Sequence, residues 1–458
     1  MSLDLRDVTT AMVLDALHGT ADPHDGELVA TGLSASPGVA SGTVATTLDQ
    51  ALDAYDRGDE VIFVRPETTP GDEPAMRIAS AVVTERGGLA SHAAVISRDL
   101  GVPAVCGAGP IHLVDGDLVT VDGATGQIRR GLGAATTAVE TLPDWLVEVL
   151  EAADEAAAPF EVWANADRAD AAALARRFGA RGIGLCRTEH MFLGSRAPII
   201  GRLLDGDDAA VDEVASVMRD DVGGLLEVMD GLPVVIRLLD APRHEFGGPE
   251  EHNPMLGVRG ARLALTRPDL YRAQARAVQA AALELRSRGL DPRPRLLVPL
   301  VSLPAELETL ASWVREEFGG PVGTMIETPR AALCADRLAT RSDFFSFGTN
   351  DLTQLTYGWS RDDVEADLLP VYRELGVIER SPFETLDAGG VMRLVSLAVE
   401  TGRAAQPGLE IGLCGEHGGD PRSVELARLA GIDHVSCSPY RVPVARLAAG
   451  HAALGIGA

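Results

Sequence analysis

Residues 322–327 read VGTMIE, residues 344–350 FFSFGTN and residues 410–415 EIGLCG. Each is a short apolar run that turns polar at its carboxyl end. Five further runs share the pattern: Glu161–Asn165, Gly182–Arg187, Val234–Asp240, Arg295–Val301 and His434–Ser438. Stretches with helical periodicity, such as Pro268–Arg288 and Ala305–Glu317, lie between them. Short runs of this length read as buried parallel strands. Eight strand–helix units across roughly 290 residues predict an α/β fold with a (β/α)8 barrel over 161–458, two alternated open sheets being the rival arrangement.

Upstream of the barrel the texture changes. Residues 1–30 are acidic and broken by Gly and Pro, with a possible helix near Met12–His18, and read as a lead-in segment. From 31 to 131 short β-branched runs (Val61–Pro66, Ala81–Thr84) precede a hairpin signal, Leu118–Asp122 and Gln127–Arg130 around Gly-Ala-Thr-Gly. One helix, Ser91–Leu100, follows Gly87-Gly88. This predicts a small β/α domain. Residues 132–160 are rich in Ala and Glu and read as a helical linker, with its helix over Trp145–Ala153.

Composition narrows the chemistry. Among 458 residues, 40 basic against 67 acidic side chains give a net charge of −27, which disfavours nonspecific binding to nucleic acid or an anionic membrane. Every basic residue is Arg; there is no Lys. Schiff-base aldolases, pyridoxal phosphate enzymes and a P-loop lysine are excluded. An anion must be held by Arg, backbone N–H groups or a metal. The five cysteines form no CxxC pair and fit reduced cytosolic thiols. The N-terminus reads without a signal peptide, and no apolar run reaches membrane-spanning length, so a cytoplasmic location is expected.

In a barrel the site lies at the carboxyl ends of the strands. Arg187, Arg237 and Asp240, Glu327, Asn350-Asp351, and Cys414 with Glu416 fall there. Each alone reads as a cap or surface ion pair; together they are expensive to bury without a ligand. Glu327 and Asp351, expected on neighbouring strands, suit Mg²⁺. Arg187, Arg237, Arg259 and Arg361 offer forks for phosphate or carboxylate. Gly348 and Thr349 let backbone N–H groups approach an anion. A small phosphorylated acid fits this set, with Mg²⁺ and Arg stabilising an enolate oxygen. Cys414 is either a small buried hydrophobe or a proton donor to carbon; His417 is either its partner or a loop histidine. His92, opening a helix after Gly87-Gly88, is either a phosphoryl carrier or an ordinary N-terminal histidine.

The stretch Gly87-Gly88-Leu89-Ala90-Ser91-His92-Ala93-Ala94 resembles the phosphohistidine motif of the phosphoenolpyruvate (PEP)-utilising enzymes. GIGLCRTEHMF (182–192), IRLLDAPRHEF (236–246), NPMLGVRGARL (253–263), GTMIETPRAAL (323–333), FFSFGTNDLTQLTYGWSRDD (344–363), IGLCGEHGGDPRSVE (411–425) and SCSPYRVPVARLA (436–448) are most similar to the pyruvate, phosphate dikinases. The resemblance spans nearly all of 31–450. It implies a swivelling phosphohistidine domain at 31–131, with His92 phosphorylated, and a PEP/pyruvate-binding barrel. It implies phosphate binding by Arg187 and Arg237 with Arg259 and Arg361 in support, Mg²⁺ ligation by Glu327 and Asp351, and a substrate lining of Gly348, Thr349 and Asn350. Cys414 would protonate the enolate methylene carbon. The implied half-reaction interconverts PEP and pyruvate through phospho-His92, in a homodimer formed through the barrel.

Two departures shape the expectation. Only about 30 residues precede the small domain, so the family's ATP-grasp nucleotide-binding domain is expected to be absent and the ATP half-reaction to fall to a separate polypeptide. Ala90 stands where dikinases carry a regulatory Thr. Alternatives are a PEP synthase-like enzyme, a phosphoryl donor like enzyme I of the sugar phosphotransferase system, and a non-catalytic PEP-binding regulator.

Overall fold

All eight apolar runs form strands, because each is long enough to cross a barrel wall and short enough to leave polar residues at its rim. In the computed structural model, which describes residues 4–18, 26–69, 72–88, 91–133, 141–192, 196–204, 206–240, 242, 251–365 and 368–457, the chain forms two compact units. Met1–Asp7, Glu148–Trp359 and Ser381–Ala458 make the larger; Val8–Val147 and Ser360–Arg380 make the smaller.

The smaller unit is built on an eight-stranded mixed sheet. Its strands are β1 (Leu28–Thr31), β2 (Leu33–Ser36), β3 (Val39–Ala45), β4 (Val61–Arg65), β5 (Ala81–Thr84), β6 (Ala104–Cys106), β7 (Leu118–Asp122) and β8 (Gln127–Arg130), in the order β1-β8-β7-β3-β4-β5-β6-β2. β3 to β6 run parallel, and the expected hairpin β7–β8 pairs antiparallel beside β3. The helix His92–Leu100 starts at Ser91, whose hydroxyl caps the Ala94 N–H at 3.4 Å, and stops at Gly101 in a left-handed turn (φ 66°). Ala93, Ala94 and Ile96 bury one face of it against Phe63, Met76, Val82 and Cys106.

The larger unit is a closed parallel barrel: β9 (Glu161–Asn165), β10 (Ile183–Arg187), β11 (Pro233–Arg237), β12 (Arg293–Val298), β13 (Val322–Ile326), β14 (Phe344–Gly348), β15 (Glu410–Cys414) and β16 (His434–Cys437), the last pairing back to β9. Trp163, Leu185, Val235, Leu297, Met325, Phe344 and Cys414 fill its interior. Near the amino ends of the strands the Arg295 guanidinium lies 4.1 Å over Phe344 and pairs with Glu410. There the His434 ring stacks on Trp163 at 3.8 Å. Burial, reinforced by Arg295, pushes His434 down to about 3.

The boundaries differ from the expected plan at both ends of the small domain. The start of the 1–30 lead-in belongs with the barrel: Leu5 is buried, and its carbonyl accepts from His451 Nε2 at 2.9 Å. The 132–160 linker is, from Glu148 onward, barrel structure. Its helix (Asp144–Ala157) is longer than expected, and Asp154 holds Arg446 through two bonds of 2.8 and 3.0 Å. Gly450 is there because a Cβ would come within 2.7 Å of Ala153. Residues 360–380, expected in the barrel, group with the smaller unit.

Candidate functional site

At the carboxyl rim of the barrel, neighbouring strands bring charged side chains into one buried cluster. Arg237, the last residue of β11, is 8% exposed and pairs with Glu189, and its Nη1 lies 3.6 Å from Asp240. Asp240 in turn grips Arg259 at 2.8 and 2.9 Å, and Arg259 Nη2 reaches Asp351 at 3.2 Å. The helix Pro268–Ser287 steadies this loop: Tyr271 donates to the Leu239 carbonyl at 3.0 Å, and Gln274 accepts the Leu239 N–H at 3.1 Å.

Glu327, one residue past β13, is 1% exposed and accepts the Leu300 N–H at 2.5 Å. Leu300 sits at φ 55°, a conformation most side chains avoid, and this turn aims its N–H at the carboxylate. Burial, then the charges of Asp351 and Asp240, push Glu327 up to about 8. Gly348 serves a purpose not anticipated from sequence: a Cβ there would come within 2.6 Å of Glu327 Oε2.

Asp351 is not a strand end. β14 stops at Gly348, and Thr349, Asn350 and Asp351 form the first turn of the helix Thr349–Tyr357. The chain turns helical sooner because Thr349 is tied down. Its hydroxyl lies 2.8 Å from His417 Nδ1 and 3.3 Å from the Cys414 carbonyl. His417 is fully buried, and its Nε2 donates to the Pro382 carbonyl at 2.9 Å, so it acts as a strut for this corner. Gly415 (φ 135°) packs against Thr349 and Asn350 with no room for a side chain.

Cys414, 2% exposed at the end of β15, accepts from the Ser346 hydroxyl at 3.3 Å. Burial pushes its thiol up, against the smaller downward pull of Ser346, Arg187 and Arg237. The pocket thus favours the protonated thiol, the form suited to donation. Arg187 closes β10 and lies 4.0 Å from Glu416. Arg361 opens the short helix Arg361–Glu365, which groups with the smaller unit. His92, in that unit, is half-buried, with Nδ1 3.1 Å from the Thr68 hydroxyl. Leu89 and Ala90 of its motif, and most of 241–250, lie outside the described residues.

The donor set suits a divalent cation in part. Asp240, Glu327 and Asp351 put more negative charge beside Arg237 and Arg259 than those two neutralise, and Glu327 registers the excess. Among the described residues no three acidic, His or Cys side chains converge closely enough to hold a metal alone. Glu327 and Asp351 can supply two oxygens, leaving the rest to substrate and water, the usual manner of Mg²⁺. Arg237 Nε, Glu189 Oε2 and Asn165 Oδ1 are buried without a hydrogen-bond partner, which leaves polar capacity at the rim for a ligand.

A family profile described as "PEP-utilising enzyme, PEP-binding domain" matches residues 146–454. The chain belongs to the PEP-utilising enzymes. A second profile, "PEP-utilising enzyme, mobile domain", matches residues 58–126. Among similar PEP-utilising enzymes, pyruvate, phosphate dikinase 1, chloroplastic, of Oryza sativa subsp. japonica is 42% identical over 92% of this chain and 51% of its own. Pyruvate, phosphate dikinase of Rhizobium meliloti (strain 1021) is 42% identical over 96% of this chain and 55% of its own. The chain thus spans about half the length of these relatives. Among the described residues no helix is long and apolar enough to cross a membrane.

Sequence reasoning left Glu189, Ser346, Thr68 and Leu300 out of this PEP-utilising enzyme's site. Asp240 was noted at a strand end but not chosen. Only the RTE and IRLLD spellings, strand-end charges next to the chosen arginines, could have drawn attention to Glu189 and Asp240.

Proposed function

We propose that this chain catalyses the phosphoryl exchange between PEP and pyruvate through His92. The observation that carries the reading is the buried rim cluster, in which Arg237 and Arg259 face Glu327 and Asp351 beside a protonated Cys414. Arg187 and Arg237 bind the phosphoryl group, with Arg259 in support. Gly348, Thr349 and Asn350 shape the wall for the three-carbon acid. Thr68 engages Nδ1 of His92, which assigns the nucleophile to Nε2.

The His92 Nε2 lone pair attacks phosphorus, an N–P bond forms, and the P–O bond to the enol oxygen breaks. The arginines stabilise the enolate oxygen as charge develops there. The Cys414 thiol then gives its proton to the methylene carbon, yielding pyruvate and a thiolate that solvent reprotonates. In reverse, the thiolate takes a methyl proton and the enolate attacks phospho-His92. Glu327 and Asp351 would hold Mg²⁺, which when bound supplies Lewis-acid stabilisation of the enolate and phosphoryl oxygens. Direct transfer requires His92 to reach the pocket during turnover, which a mobile domain provides. An ATP-grasp protein as phosphoryl partner, a homodimer through the barrel and a cytoplasmic location belong to the same proposal.

Labelled PEP with Mg²⁺ should yield an acid-labile, base-stable phosphoprotein. His92→Ala should abolish the label; its persistence there refutes the assignment.

A further inference from the structure

The turn that follows Arg187 and carries Glu189, the partner of Arg237, is pinned by a pair the scheme above does not use. Asp167 lies two residues beyond β9, and β9 pairs with β10 so that Asn165 sits beside Leu185. One Asp167 oxygen accepts the Arg187 backbone N–H at 2.5 Å, and the other lies 2.6 Å from His190 Nδ1. A carboxylate only accepts, so Nδ1 carries the proton. His190 belongs to the tight turn Thr188–Phe192, in which Thr188, Glu189, Met191 and Phe192 are buried. Glu189, immediately before His190, is the residue that pairs with Arg237. One carboxylate therefore fixes both ends of a four-residue segment: Arg187 by its main chain and His190 by its ring. Between them that segment sends one phosphate-binding side chain toward the rim and the partner of the other toward β11.

We propose that Asp167 and His190 are positioning residues that set Arg187 and the Glu189–Arg237 pair for a phosphorylated ligand. The inference rests on the PEP reading of this site. The pair touches no reacting atom. Its loss loosens the turn, so the arginine forks meet the phosphoryl group out of register. The cost falls first on ligand binding, because a fork needs its planar geometry to engage two oxygens at once.

The test is single-turnover phosphorylation of the full chain by labelled PEP with Mg²⁺, with KM taken as the PEP concentration giving half the maximal labelling rate, comparing His190→Phe, His190→Asn and Asp167→Asn with the unaltered protein. His190→Phe keeps a ring and removes the donor; KM for PEP is expected to rise about tenfold, with the maximal labelling rate within about twofold. His190→Asn places an amide N–H near the Nδ1 position and should restore KM to within about threefold. Asp167→Asn keeps one acceptor and should raise KM as His190→Phe does, and it carries the test if His190→Phe fails to fold. A KM unchanged in both His190→Phe and Asp167→Asn overturns the inference. So does a fall in maximal rate alone, or an Asn variant no better than Phe. If the unaltered protein takes no label from PEP, the PEP reading fails, and that outcome is separate from these.

Discussion

Acid should weaken this barrel in part through one histidine, and the size of that part follows from its surroundings. His434 is buried at the amino end of β16, stacked on Trp163 and facing Arg295, and its folded pKa is about 3 against an ordinary 6.5. Between those values the unfolded chain binds a proton that the folded chain refuses. Stability is therefore full above about pH 6.5 and falls as pH drops toward 3, by about 1.4 kcal/mol per unit. From pH 7.5 to 5.0 the loss from this residue alone is about 2 kcal/mol. Carboxylates add their own acid dependence, so the informative quantity is a difference between proteins. His434→Phe keeps the stacked ring and removes the titration. Urea unfolding followed by tryptophan fluorescence at the two pH values should show the variant losing about 2 kcal/mol less than the parent. Equal losses would mean that His434 is protonated in the folded barrel, and the reasoning would fail.

Other expectations concern the rim and the helix that joins the barrel at its start. Cys414→Ala should leave transfer of label from PEP to His92 intact but slow solvent proton exchange at the methyl group of pyruvate; normal exchange would remove the thiol from the mechanism. Ser346→Ala deletes the hydroxyl that holds the thiol down, so the pH profile of that exchange should move to higher pH. Gly348→Ala forces Glu327 aside and should cut the phosphorylation rate on the order of 100-fold, while circular dichroism and the unfolding midpoint change little. Arg446→Ala leaves Asp154 with only Arg181, at 3.5 Å, and frees the Phe178 carbonyl, and urea unfolding should register a loss of about 2 kcal/mol.

The barrel was legible because its signal is local. An apolar run of five or six residues with a polar end says strand and rim together, and Arg187, Arg237, Glu327 and Cys414 were reached that way. Asp351 shows the limit: sequence places it near a rim, but whether the strand runs through it depends on Thr349 being tied to His417, 68 residues away in sequence. The second demand on Gly348 was hidden for the same reason, since the carboxylate it makes room for follows the adjacent strand. Glu189, Asp240 and Leu300 act across strands, and Leu300 adopts a backbone conformation that no leucine announces. In the smaller unit, β1 to β3 were not resolved as separate strands because 28–45 is Ala, Gly, Ser and Thr-rich. Their register comes from partners such as Asp122, opposite Val39, and Arg129, opposite Leu28.

The central claim is that an imidazole on the smaller unit and the charged rim of the barrel together interconvert PEP and pyruvate. The most direct measurement is isotope exchange with the chain alone: labelled pyruvate, unlabelled PEP and Mg²⁺, with no nucleotide. Label should enter PEP with the unaltered protein and not with His92→Ala. Exchange that survives in His92→Ala, or that never occurs with a folded protein phosphorylated at His92, would contradict the account.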